Sequence, residues 1–372
     1  MNELLFSPIR IGALTLKNRL TMAPLYLGYA GEGGTVSDLL LEHYRQMAAS
    51  GVALVVVENA TVDHPAGSGS HRTLRADSDA NLSGLTRLAQ TIQAQGALAC
   101  LQLNHAGRFA GAAEQPVAPS AVETFGRLPK ALEEEQIGAI AAKFADAARR
   151  ACAAGFDMVE LHGGTGYLLA QFVSPHTNRR GDAYGGSPQG RLRFPLEVVQ
   201  AVTAAVGPAP VGYRFLADEW LPGGLKPAES TPFAAALEAA GIAYLSVMGG
   251  TYESFFLPEI ISRGRQDGYM VDLAAGVKQR VGIPVITAGR LSGGALCERV
   301  LQAGQADLIG LARVLWADPE WPAKVREGRE DAILHCDPDC GDTCTQMVIK
   351  GRPAFCVRWP HAKRQALKAM FV

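Results

Sequence analysis

Residues 137–167 read IGAIAAKFADAARRACAAGFDMVELHGGTGY. The first half is a helix by its spacing. Ile137, Ile140, Ala141, Phe144, Ala148 and Ala151 fall on one face at the 3.6-residue period. Gly155 marks its end, because glycine adopts the left-handed conformation past a helix without a Cβ penalty. The run that follows, FDMVELH, is short, mostly apolar and not alternating, as in a strand covered on both faces. Polar and glycine residues then gather within a few positions.

The same punctuation recurs along the chain. It appears at Gly51 before VALVVVE, Gly96 before ALACLQL and Gly207 before PAPVGYRF. It returns at Gly241 before IAYLSVM, Gly282 before IPVITAG and Gly304 before QADLIGLA. With the early run at Leu20–Met22, this makes eight strands alternating with helices. Alternation implies parallel strands with right-handed crossovers. The predicted class is therefore α/β, a (β/α)8 TIM barrel over residues 1–330, followed by a short Cys-rich extension over 331–372. An open doubly wound sheet would show G-x-G-x-x-G after a strand, and none does.

Composition narrows the function. The chain has 372 residues, 35 basic and 36 acidic side chains and a formal net charge of −1. That balance offers no electrostatic case for a nucleic-acid or polybasic membrane partner. No run of 18 apolar residues could span a bilayer. The start, MNELLFSPIR, lacks the apolar core of a secretory signal, so a cytoplasmic location is expected. Of seven cysteines, Cys100, Cys152 and Cys297 are scattered. Cys336, Cys340, Cys344 and Cys356 fall within 21 residues, where an even spread would place fewer than one. An odd count without a secretory signal argues against a disulfide framework and for a thiolate metal site.

In such barrels the chemistry sits at the C-terminal strand ends. Strands seven and eight end in TAGR (Thr287–Arg290) and IGLAR (Ile309–Arg313), the usual phosphate site. Two arginines in surface salt bridges are the blander reading. Gln102 ends strand three, where its amide could meet a heterocycle edge or sit satisfied in the core. Arg214 would face it from strand five, a fixed charge suited to a reduced flavin anion. His162, Thr165 and Tyr167 follow strand four and could hold a carbonyl oxygen and deliver a proton. Equally, His162 could pin the loop and Tyr167 could be a buried aromatic at a helix start.

Together these motifs resemble the old yellow enzyme family of NADH:flavin oxidoreductases. LFSPIRIGALTLKNRLTMAPL resembles the family's N-terminal signature. HTNRRGDAYGGSPQGRLRF (176–194) resembles its loop after strand four, with Gly190 where Asn is usual. The cysteine tail points to the branch of 2,4-dienoyl-CoA reductases and trimethylamine dehydrogenases. The resemblance implies FMN across the barrel mouth, against Ala23, Pro24, Leu25 and Ala60, with Gln102 at its pyrimidine edge and Arg214 near N1. Gly289, Arg290, Ala312 and Arg313 would hold its phosphate. His162 matches the first member of a substrate-oxyanion pair, and Tyr167 matches the proton donor of dienoyl reductases. Thr165 stands where the pair usually has His or Asn, and Tyr26 where Cys or Thr is common. The tail implies a [4Fe–4S] cluster on Cys336, Cys340, Cys344 and Cys356. Its first gap is one residue longer than the family's, leaving Asp337 at the usual first ligand. A zinc ion held by the four cysteines is the alternative.

The leading expectation is an FMN-dependent ene-reductase, passing hydride to an activated C=C bond of an enone or an enoyl or dienoyl thioester. Family members with this cluster continue into FAD- and nucleotide-binding domains, whereas this chain ends sixteen residues after Cys356. Electrons would then come from a longer chain's further domains, a separate flavoprotein or ferredoxin, or NAD(P)H directly. Homo-oligomerisation is left open. A flavin-dependent amine dehydrogenase is the nearest rival and would need an aromatic cage, for which Tyr26, Tyr252, Phe255 and Phe256 are candidates. A non-catalytic electron-transfer subunit is the third reading.

Overall fold

The computed structural model describes residues 3–337 and 339–369. Residues 1, 2, 338 and 370–372, which the two predicted domains include, lie outside the described residues. Eight parallel strands close into one barrel. They are β1 (Leu20–Met22), β2 (Leu54–Thr61), β3 (Leu98–Asn104) and β4 (Met158–Gly163), then β5 (Val211–Asp218), β6 (Tyr244–Gly249), β7 (Val285–Thr287) and β8 (Leu308–Leu311). Each is the apolar run read from the sequence, and the helices between them lie outside. They include α1 (Asp38–Ala49), α2 (Leu82–Gln93), α3 (Glu134–Ala153) and α4 (Pro188–Val206).

Local chemistry sets the helix starts. The Ser37 hydroxyl accepts from Leu40 N–H at the start of α1. Glu133 and Gln136 form a reciprocal capping box on α3. Ser187 accepts from Gly190 N–H on α4, with Pro188 just inside the helix. Gly190 also has a packing reason. A Cβ there would overlap the Gly185 carbonyl oxygen, so this loop closes only without a side chain.

The barrel interior is filled in layers, as inward positions alternate along each strand. At the bottom, Val56, Cys100, Met158, Tyr244, Ile286 and Leu308 pack with Ile11 and Leu16. The last two come from a short antiparallel hairpin, Ile9–Ile11 with Leu14–Leu16, which plugs the N-terminal end of the barrel. One layer up, Gln102 and Glu160 are neighbours in register, as are Glu160 and Gly212 and then Gly212 and Tyr244. The Tyr244 ring crosses the space above Gly212, where a Cβ would overlap its edge. Tyr244 thereby reaches Glu160. The next layer, His162, Arg214 and Ser246, faces the open C-terminal mouth.

The chain beyond the barrel folds back on the β1 loop. Ala354 N–H donates to the Leu27 carbonyl at 2.9 Å, and Tyr29 O–H donates to the Ala354 carbonyl at 2.7 Å. The rings of Trp316 and Trp359 meet edge to face at 4.9 Å. Among the described residues, no helix is long and apolar enough to cross a membrane.

Candidate active site

At the C-terminal mouth lies a cavity lined by Pro24, Tyr26, Glu58, Asn59, Gln102, His162, Thr165, Tyr167, Arg214 and Tyr252. The ends of β1 to β6 and their loops thus converge from distant parts of the sequence, because a closed parallel barrel points every strand's end at one opening. Of the residues expected here, Pro24, Gln102, His162, Thr165, Tyr167 and Arg214 line it, and so do the substrate-side candidates Tyr26 and Tyr252. Ala23 and Ala60 are buried beside it, on β1's end and on β2.

Glu160 orients the floor. It is fully buried, and its Oε1 accepts from Gln102 Nε2 at 2.7 Å while its Oε2 accepts from Tyr244 O–H at 3.0 Å. Holding the amide NH2 below leaves the Gln102 carbonyl as the group offered to the cavity. Burial raises the Glu160 carboxyl above its ordinary value, and Arg214 opposes the rise. Arg214 in turn donates to Ser246 Oγ at 2.7 Å.

His162 lines the cavity. Its Nδ1 accepts from Gly164 N–H at 3.2 Å, so the ring pins its own loop. The neutral tautomer then carries its proton on Nε2. Burial, with Arg214 adding to it, keeps the imidazole well below its usual pKa and hence neutral. Thr165 follows in the left-handed region, at φ 59°, an unusual place for a β-branched residue. Its hydroxyl contacts Met248 Sδ at 3.6 Å.

Tyr167 caps the short helix Leu168–Val173, which is the structural role read from the sequence, and its hydroxyl still faces the cavity. It receives a bond from Asn59 Nδ2 at 3.3 Å and pairs with the Tyr252 hydroxyl at 2.7 Å. Burial, then Tyr252, raises its pKa well above that of an ordinary phenol. Tyr26 is pushed up to about 12, first by burial, and bonds Ser70 Oγ. These cavity phenols are therefore neutral donors near pH 7.

Two lining residues were not singled out from the sequence. Glu58 is 1% exposed; its Oε2 accepts from Leu27 N–H at 3.1 Å, and its Oε1 has no partner among the described residues. Burial pushes its carboxyl up to about 8. Asn59 Oδ1 is likewise unpartnered. A carboxylate closing the apolar run VALVVVE was the available signal for Glu58.

At the ends of β7 and β8 both arginines stand in ion pairs. Arg290 Nε lies 3.2 Å from Asp267 Oδ1, and Arg313 Nη1 lies 2.9 Å from Asp342 Oδ1. Asp342 belongs to the tail, so Arg313 faces both regions. It lines a second, smaller pocket together with Cys336, Asp337, Cys340, Cys344 and Cys356. The four clustered cysteines thus converge on one space, although among the described residues no group of three or more His, Cys, Asp or Glu is arranged to hold a single metal ion.

Residues 4–332 match the model of the NADH:flavin oxidoreductase / NADH oxidase family. An NADH oxidase from Thermoanaerobacter brockii is 43% identical over 340 residues, 89% of this chain and 52% of the relative. A metal reductase from Desulforamulus reducens is 41% identical over 370 residues, 98% of this chain and 54% of the relative. The chain therefore spans about half the length of both. Among solved structures, a 2-naphthoyl-CoA reductase complex superposes with a TM-score of 0.92 at 29% identity, covering 97% of this chain and 57% of that one.

Proposed function

Since the chain belongs to the NADH:flavin oxidoreductase / NADH oxidase family, we propose that it is an FMN-dependent reductase of C=C bonds conjugated to a carbonyl, with NAD(P)H as the ultimate reductant. The cavity's polar groups suit a flavin ring. The Gln102 carbonyl and the Asn59 Oδ1, which has no partner among the described residues, are acceptors that a bound heterocycle can satisfy. Pro24, Leu25, Ala23 and Ala60 would flank the ring, Gln102 and Arg214 its pyrimidine edge, and Gly289, Arg290, Ala312 and Arg313 its phosphate. Binding a phosphate requires the two arginines to share or leave Asp267 and Asp342. When bound, FMN supplies the hydride.

The chain's own residues supply the rest. Neutral His162 offers its Nε2 proton, and Thr165 its hydroxyl, to the substrate carbonyl oxygen as negative charge develops on it. Tyr167 donates the proton to carbon. Tyr252 can pass its own proton to the Tyr167 oxygen along their 2.7 Å bond, so the donor is recharged from the outer side. Neutral phenols at pH 7 follow from burial. That His162–Tyr167–Tyr252 arrangement over Arg214 is the observation that carries the reading.

The four converging cysteines support an iron–sulfur cluster as the electron entry. Four thiolates on one zinc ion must crowd together, whereas four on separate corners of a [4Fe–4S] cube stand further apart around a shared space. Cys336 and Asp337 both line that space, so either can serve as first ligand.

The test is anaerobic. An enone should reoxidise the reduced flavin of the holoprotein. Tyr167→Phe should leave flavin reduction intact and slow reoxidation by about tenfold or more. Bleaching of the oxidised flavin by an amine, with no reaction toward any enone, would replace this reading with amine oxidation. The trio Tyr26, Tyr167 and Tyr252 beside the unpartnered Glu58 carboxyl is what favours that second reading.

A further inference from the structure

The wall of the cavity continues outward as an aromatic ladder. Tyr167 meets Tyr252 with ring centroids 5.6 Å apart, and Tyr252 meets Phe109 at 5.2 Å. Phe109 meets Phe125 at 6.0 Å, and Phe125 meets Phe256 at 6.3 Å. Tyr167 is buried and Tyr252 and Phe109 are partly buried, but Phe125 is 62% exposed and Phe256 55%. Exposed aromatics that continue a cavity are an apolar surface awaiting a ligand.

Phe125 is held out at a conformational cost. It occupies the two-residue turn between Thr124 and Arg127, which exchange backbone bonds of 2.9 and 3.0 Å. Both central residues have positive φ, 49° at Phe125 and 73° at Gly126. Such turns favour Asn, Asp or Gly at the first position, and a bulky residue there is an outlier. The turn is nevertheless tightly fixed. Arg127 donates to the carbonyls of Ala110, Ala113 and Glu114 at 3.1, 2.7 and 3.0 Å. Arg108, 2% exposed, donates to Thr124 Oγ1 at 2.7 Å and grips the Glu253 carboxylate with both Nη groups. One buried guanidinium thus ties together the two loops that carry Phe125 and Phe256. Strain that persists under this much restraint points to function.

We propose that Phe109, Phe125 and Phe256 form a subsite for a planar apolar group, an aryl or extended polyene substituent carried on the β-carbon side of the conjugated carbonyl. The inference rests on reading the cavity as a carbonyl site, and it names the substrate class: large aryl-conjugated carbonyls in preference to small enones. Arg108 acts as a positioning residue, fixing the spacing of the two outer rings.

The test uses the holoprotein and two measurements. One is calorimetric binding of 4-phenyl-2-butanone, a saturated ketone that cannot be turned over. The other is the kcat/KM ratio for 4-phenyl-3-buten-2-one over 3-buten-2-one. Phe125→Gly suits the turn's positive φ, so it removes the ring without unfolding the loop. It should weaken the ketone by about fivefold or more and lower the ratio by about tenfold. Phe125→Tyr should restore both. If both enones are reduced and Phe125→Gly changes neither binding nor ratio, the subsite is overturned while the reductase reading stands. If neither enone reacts but ketone binding still depends on the Phe125 ring, the subsite stands and the reductase reading falls.

Discussion

Glu58 shows how one residue's environment sets its charge. Its neighbours are the Leu27 N–H and the phenols of Tyr26, Tyr29 and Tyr44, with no cation among the groups acting on it. Desolvation therefore raises the carboxyl from 4.5 to about 8. Between those two pH values the folded chain keeps a proton that the unfolded chain has released. Stability from this group is complete below pH 4.5 and is lost as pH rises through about 8. Glu58→Gln, which mimics the neutral carboxyl, should not show that loss. Thermal melts of the two holoproteins should agree near pH 4.5 and diverge upward in favour of the variant, by on the order of a few kcal/mol at pH 8. Parallel curves would show that Glu58 is ionised in the fold.

At the scale of elements, β5 and β6 show why register matters more than composition. Gly212 looks like a weak point in a strand, since glycine packs nothing. In the barrel it sits between Glu160 and Tyr244 in register and leaves the gap that the Tyr244 ring crosses to reach Glu160. Gly212→Ala would drive a methyl into that ring, against an interior that cannot relax freely. The expected loss is roughly 1–3 kcal/mol, with Glu160 freed from one of its two partners. Chemical denaturation checks the first part. A weaker hold on the Gln102 amide should also raise the flavin dissociation constant.

At the scale of the molecule, the tail matters because it touches the loop that lines the cavity. Leu27 donates to Glu58 on one side and accepts from Ala354 on the other. Ala354 lies two residues before Cys356, so a short backbone path, Leu27 to Ala354, links the loop that lines the cavity to the segment that carries a clustered cysteine. One anchor of the tail is Trp359, 6% exposed, whose Nε1 donates to the Trp316 carbonyl at 3.1 Å. Trp359→Ala should cost about 3–5 kcal/mol of docking. Limited proteolysis should then cut the tail while the barrel's circular dichroism persists, and the iron of the proposed cluster should fall relative to flavin. Retained iron with a protease-resistant tail would show that the cysteines, not the tryptophan pair, hold it down.

How much of this was legible in the chain follows from range. The eight strands could be read because each needs only local information, an apolar run behind a glycine stop, and alternation then dictates parallel closure. His162, Thr165 and Tyr167 could be found because they lie within six residues on one strand end. The clustered cysteines announced themselves in the same way. Pairing was another matter. That Gln102 gives its NH2 to Glu160, that Arg313 turns toward Asp342, and that Phe125 stacks between Phe109 and Phe256 depend on residues brought together from separate loops. Sequence alone determined the barrel and the position of its mouth, since periodicity and glycine placement are local. Only the tertiary structure decided which groups in that mouth are paired and which remain open to a ligand, since hydrogen bonding and burial are set by neighbours that the chain order does not reveal.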